Sequence, residues 1–187
     1  MHRLFVAIEP PVAVRDRLLA VMGGISGARW QRDDQLHLTL RFIGEVDRHA
    51  AQDIAAALGS VHQPPFELSL STTGVFDRRG RPGAIWVGVA PHDAVHLLHN
   101  KVDQALVRVG VPPEARAFHP HITLARFGRH AGPVAGFIDE VQVAGAPFRV
   151  GGFALYESTL TGDGATYRVA ERYLFQSLSK APESVII

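Results

Sequence analysis

Apolar and polar positions along this chain fall into short blocks, and the period of each block says which element it forms. Leu4 to Glu9 is a β-branched and aromatic run closed by Pro10-Pro11, which predicts a strand. Val14, Leu18, Val21 and Met22 follow at helical spacing within 12–22, and Gly23-Gly24 ends that helix. After a polar loop holding Trp30, the run from Leu36 to Ile43 reads as a second strand. Asp47 is placed to cap a helix whose apolar face is Ala51, Ile54, Ala55 and Leu58. Pro64-Pro65 introduces a strand from Phe66 to about Phe76, and residues 77–83 form a basic turn.

The order of elements then starts again. A strand from Ala84 to Val89 is followed by Pro91, and a helix over about 93–109 lines up Val95, Leu98, Val102, Ala105, Leu106 and Val109. A strand runs from His119 to Phe127. Val134, Phe137, Ile138 and Val141 mark a short helix, and Pro147-Phe148 opens a strand towards Tyr156. Thr166 to Phe175 reads as a last strand, with Gly162 and Gly164 in the turn before it.

Laid over one another, the halves keep a nearly constant offset. Phe5-Val6-Ala7-Ile8 with Pro10 matches Trp86-Val87-Gly88-Val89 with Pro91 at 81 residues, and Pro65-Phe66 matches Pro147-Phe148 at 82. Between them, His37-Leu38-Thr39-Leu40 matches His121-Ile122-Thr123-Leu124 at 84. Chance supplies any one of these matches easily, but not all three in register with the same order of elements. Two copies of a β-α-β-α-β unit with an extra final strand follow, spanning about 3–83 and 84–187 of one bilobal domain.

The composition narrows the class of protein. At 187 residues, 47% hydrophobic and 20% charged, the chain is an ordinary globular one with enough length to bury a core. Nineteen basic against 18 acidic residues leave no global footprint for a long duplex, so any nucleic-acid contact is local. The absence of cysteine excludes disulfides, thiolate zinc sites and a cysteine nucleophile. No apolar run is long enough to span a bilayer or to serve as a signal peptide, which points to a cytoplasmic protein.

In a strand, alternation puts His and Thr of each His-x-Thr-Leu motif on one face and the apolar pair on the other. Two lobes each presenting such a strand would set two imidazoles across a cleft. Displacement at phosphorus is in line, needing a base on one side and an acid on the other. Histidine, with an unperturbed pKa of about 6.5, serves in either role. Threonine hydroxyls can donate to the non-bridging oxygens, where charge accumulates in the transition state. The arrangement requires no metal and no cofactor.

The paired motifs resemble those of the 2H phosphoesterases, a family defined by two H-x-T/S-x motifs in a bilobal fold. Within it the chain is most similar to the RNA 2′,3′-cyclic phosphodiesterases, also described as 2′-5′ RNA ligase-like proteins. The resemblance covers nearly the whole chain: Arg3 to Ala7, His37 to Val46, Phe118 to Arg126, Leu155 to Ser158 and Tyr167 to Val169. It implies an α+β fold in which two lobes related by a pseudo-two-fold line a central cleft with mainly antiparallel sheets, helices outside. It implies hydrolysis of an RNA 2′,3′-cyclic phosphate to a 2′-phosphate end, in tRNA halves or nucleotides, by a monomer away from membranes. His37 would then protonate the leaving 3′ oxygen, His121 would activate water, and Thr39 and Thr123 would hold the phosphate. Arg126 would add charge near it, and Phe42 would stack on the terminal base. The alternatives are 2′-5′ ligation, a small nucleotide cyclic phosphate as substrate, or an RNA-end binding module without turnover.

Alternation from Thr39 points Arg41 either at the phosphate or into a salt bridge at the cleft rim. Arg78, Arg79 and Arg81 read as a solvated turn or as a contact for RNA beyond the terminus. His92, His96 and His99 have the helical spacing of metal ligands but lie against the apolar stripe and lack a clear carboxylate partner. His119 is expected beside the His121 site, His2, His49, His62 and His130 at the surface or in caps, and Trp30 and Trp86 in packing.

Overall fold

A computed structural model describes residues 1–176 apart from 129, 130, 142, 144, 146 and 163; His130 lies outside the described residues. Among the described residues there are nine strands and four α-helices, two strands more than the sequence pattern lays out. They are β1 (His2–Ile8), α1 (Val12–Val21), β2 (Ala28–Trp30), β3 (Leu38–Val46), α2 (Arg48–Leu58), β4 (Phe66–Asp77) and β5 (Pro82–Ala90). Then follow α3 (Asp93–Arg108), β6 (His121–Phe127), α4 (Ala135–Glu140), β7 (Phe148–Val150), β8 (Gly152–Thr161) and β9 (Gly164–Leu174). Asp47 caps α2 as its position predicts, its Oδ1 accepting from the Ala50 amide at 2.9 Å. No helix among the described residues is long and apolar enough to cross a membrane.

The strands join in the order β7-β4-β5-β6-β3-β1-β8-β9, with every pairing antiparallel. The inner six strands are symmetric about the β6–β3 junction, β4-β5-β6 mirroring β8-β1-β3, and interleave the halves of the chain, while β7 and β9, both from the second half, flank them. β4, from the first half, lies beside β5, and β8, from the second, lies beside β1. Each repeat thus lends a strand, β4 or β8, to the opposite lobe, and the α+β fold is closed by that exchange. One face of the sheet packs against the helices in a single large core containing Val6, Leu38, Leu40, Ile85, Ile122 and Leu124 with Leu18, Ile54, Leu58, Leu98 and Leu106. On the other face, Phe5, Ala7, Ala154 and Tyr156 form a separate small cluster with Tyr167 and Val169 packed on it.

Three elements differ from the sequence-based expectation. Trp30 sits in a short strand, β2, that pairs with the C-terminal half of β6, because β3 and β6 touch at one position and leave that edge of β6 open. The strand expected from Phe148 to Tyr156 is broken at Gly151 into β7, which pairs with β4, and β8, which pairs with β1. The close approach of the Tyr173 carbonyl, 2.3 Å from where a side chain on Gly152 would begin, makes that glycine obligatory at the break. β6 begins at His121 rather than His119.

Candidate active site

The centre of the sheet is the bridge between Leu38 and Ile122, and it positions both motifs. Leu38 and Ile122 are buried against the helices, so alternation turns His37, Thr39, His121 and Thr123 to the opposite face. Antiparallel pairing about that bridge sets His37 level with Thr123 and Thr39 level with His121. The two histidines are therefore diagonal neighbours, at a backbone separation of about 7–8 Å for such positions. All four side chains are half-buried.

Both imidazoles are oriented in the same way. His37 Nδ1 lies 2.8 Å from the Gln35 carbonyl, and His121 Nδ1 lies 2.6 Å from the His119 carbonyl. A carbonyl only accepts, so each Nδ1 carries the hydrogen. The proton that can come and go is therefore on Nε2, which faces away from the backbone bond. The backbone of Gln35 is itself held, since its side chain accepts from the Arg32 amide at 3.0 Å and donates to the Ala165 carbonyl at 2.7 Å.

Aromatic rings surround each histidine, and apart from His119 the sequence pattern did not place them there. Phe5 lies 4.8 Å from the His37 ring, Tyr167 stands edge-on at 5.3 Å and Tyr156 is stacked at 6.2 Å. Around His121 the counterparts are Phe76 at 4.8 Å, His119 at 5.9 Å and Trp86 at 6.2 Å. Phe5 and Trp86 are the first residues of the 81-residue match, and that signal could have found them. Tyr156, Tyr167 and Phe76 arrive on strands distant in sequence, which no local pattern reveals. Trp86 and Trp30 do pack, as expected, but Trp86 packs on the cleft face and Trp30 against Phe137 at 5.3 Å. Burial holds the His37 pKa down at about 4, opposed by the Gln35 carbonyl and reinforced by the positive charge of Arg126 and by His121. His121 is also lowered, first by burial, then by its neighbours His119 and Arg126, against the raising effect of the His119 carbonyl.

Alternation would send Phe42 and Arg126, each five residues past a motif histidine, to the wrong face. A β-bulge in each strand corrects this. Along β3, Ala7 pairs with Thr39 and Val6 with Arg41, so Leu40 is the extra residue; along β6, Trp86 pairs with Thr123 and Ile85 with Ala125, so Leu124 is extra. Past the bulge Phe42 and Arg126 return to the cleft face. Phe42 is exposed and Arg3 lies over its ring at 5.3 Å. Arg126 is exposed and close enough to bear on both histidines.

The same bulge carries Arg41 away from the cleft. The salt bridge expected of it forms on the helix side, where the residue is 6% exposed, rather than at the cleft rim or the phosphate. There Nε donates to Asp103 at 2.7 Å, Nη1 donates to the Phe42 carbonyl, and Nη2 to the Pro112 carbonyl, with Glu114 at 3.4 Å. His99 has a related task. Its Nδ1 donates to the carbonyl of the bulge residue Leu40 at 2.8 Å while its ring stacks on Phe118 at 4.0 Å, so it faces the sheet rather than His92 and His96. His2 bonds Glu157 at 2.7 Å, and Arg78 and Arg81 close the exposed β4–β5 turn through their backbones.

Two neighbouring histidines on one face of the sheet with exchangeable Nε2 protons, two threonines and an arginine make a site suited to proton transfer on both sides of a phosphate. A family model described as "LigT like Phosphoesterase" matches the chain twice, over residues 8–86 and 87–167. The chain belongs to this family of LigT-like, two-histidine phosphoesterases. It is 34% identical over 140 residues to the RNA 2′,3′-cyclic phosphodiesterase of Aeropyrum pernix, covering 73% of this chain and 80% of the relative. Among solved structures, the Thermus thermophilus protein TT0787 superposes with a TM-score of 0.80 at 29% identity, covering 95% of this chain and all of that one. Escherichia coli LigT complexed with 3′-AMP superposes with a TM-score of 0.77 at 27% identity, covering 94% and 99%.

Proposed function

We propose that this chain hydrolyses RNA 2′,3′-cyclic phosphate ends to 2′-phosphomonoesters by acid/base catalysis with His37 and His121. The observation that carries the reading is the matched orientation of the two imidazoles, each held through Nδ1 by the carbonyl two residues before it. Its support from relatives is the shared activity name of the Aeropyrum pernix protein. Water attacks phosphorus from the His121 side. As the new P–O bond forms, His121 Nε2 takes the water proton, the P–O3′ bond breaks, and His37 Nε2–H passes its proton to O3′. The 2′-phosphate leaves, and solvent returns a proton to His37 and removes one from His121.

Thr39 and Thr123 donate to the non-bridging oxygens, and Arg126 adds positive charge beside them. Phe42, on the cleft face of β3, offers a ring to the terminal base. Both histidines are held neutral in the free protein, so the substrate's negative charge has to draw a proton onto the acid; a phosphate against an imidazole favours the charged form. All of these residues come from one chain, and we read the protein as a cytoplasmic monomer, one bilobal domain with repeats over about 3–83 and 84–187.

The test is the product formed from an oligonucleotide with a 2′,3′-cyclic phosphate end, in EDTA. A 2′-phosphomonoester formed at an unchanged rate with and without chelator is expected. A 3′-phosphomonoester, or bound but unconverted substrate, would overturn the reading. Two RNA halves joined through a 2′-5′ bond in preference to hydrolysis would favour ligation instead.

A further inference from the structure

Beside His37 lies a cavity of about 160 Å³ whose lining includes Arg29, Arg32, Arg126, Gln35 and Tyr167. Three of its lining residues are arginines and none is acidic. Arg32 is neutralised by Asp34, which takes Nε at 3.1 Å and Nη2 at 3.0 Å. Arg29 and Arg126 are different. They are direct cross-strand partners in the β2–β6 pairing, and neither makes a salt bridge among the described residues. Like charges placed directly opposite each other in antiparallel strands repel. Phosphate oxygens held beside them remove the repulsion and make the pairing favourable, because each guanidinium fork matches the geometry of a phosphate.

The cavity's place relative to the two histidines says which phosphate that is. Gln35, whose carbonyl orients His37, and Tyr167, whose ring edge meets His37, both line it. None of the rings packed around His121 does. With His37 as the acid, this is the leaving-group side of the cyclic phosphate, where the ribose and everything 5′ of it must go.

We propose that Arg29, across the pairing from Arg126 and the scissile phosphate that Arg126 serves, forms a second anion subsite that takes the phosphate on the 5′ side of the terminal nucleotide. The enzyme would then favour ends that carry an upstream phosphate over a bare nucleoside cyclic phosphate. This rests on the proposed roles of His37 and His121.

The experiment compares three substrates with wild type, Arg29→Ala and Arg29→Lys: a nucleoside 2′,3′-cyclic phosphate with a 5′-hydroxyl, the same nucleoside with a 5′-phosphate, and a cyclic-phosphate dinucleotide. For Arg29→Ala, KM for the two substrates bearing the upstream phosphate is expected to rise about 10-fold, the loss of one charge-assisted hydrogen bond, with kcat within about two-fold. KM for the 5′-hydroxyl substrate moves less than about two-fold. Arg29→Lys restores part of the difference, and the wild-type preference weakens as salt is raised. An equal effect of Arg29→Ala on all three substrates, or none on any, overturns the subsite. Wild type that converts none of them would overturn the histidine reading instead.

Discussion

Replacing Arg41 with methionine keeps the volume of the side chain and removes its fork of donors. In the protein that fork holds the Asp103 carboxylate and the carbonyls of Phe42 and Pro112 in a place with 6% exposure. Among the described residues Asp103 keeps only the Glu114 amide at 3.3 Å, and the two carbonyls lose a donor. Breaking one partner out of a buried ion pair costs about 3–5 kcal/mol. For a chain of this size each kcal/mol moves Tm by about 2–4 °C, so a fall of roughly 10 °C is expected. The assay is urea and thermal unfolding of Arg41→Met and Arg41→Lys, alongside KM at a temperature where both are folded. The lysine variant, which keeps the charge but not the planar fork, should lie between. Unfolding unchanged from wild type, with a raised KM for cyclic phosphate, would show that the guanidinium works on substrate and would refute the placement behind the bulge.

Three further outcomes follow from the geometry of the histidine site. Since both histidine pKa values are lowered in the free protein, both limbs of the kcat/KM profile should fall below about 6.5, with the acid limb near 4, while the kcat profile shifts to higher pH once phosphate charge occupies the site. A histidine whose folded pKa is depressed stabilises the fold fully above its unfolded value and progressively less as pH falls towards the folded one. Unfolding free energy should therefore drop by about 3 kcal/mol between pH 6.5 and 4 from His37 alone, and His37→Gln should remove that part of the slope. Gly74→Ala would place a methyl 2.2 Å from the Trp86 ring, which packs on His119 and His121; a stability loss of about 1–3 kcal/mol with altered tryptophan fluorescence and lower kcat is expected. A neutral effect would mean that the indole is free to move without disturbing the site.

The repeat made the pair of motifs legible, because hydrophobic periodicity and the offset of 81 to 84 residues need no knowledge of tertiary structure. What alternation could not show was the extra residue in β3 and in β6. A bulge is a property of two strands in register, so the sequence of β3 alone puts Arg41 beside Thr39 and Phe42 behind it, the reverse of what the pairing with β1 produces. The exchange of β4 and β8 between lobes was hidden for the same reason, since the sequence orders elements but does not say which neighbour each will choose. The aromatic surround of His37 follows from that exchange: Tyr156 and Tyr167 reach it only because β8 and β9 join the lobe built on β1.

The central claim is that the two histidines form one site divided between lobes. It is tested most directly by the rate of cyclic-phosphate hydrolysis for His37→Ala, His121→Ala and the double variant under identical conditions. Each single variant should lose about 10²–10⁴-fold in kcat, and the double variant should lose little more than the worse single one, because an acid and a base acting in one step fail together. Either single variant retaining wild-type hydrolysis, or losses that multiply in full in the double variant, would contradict it.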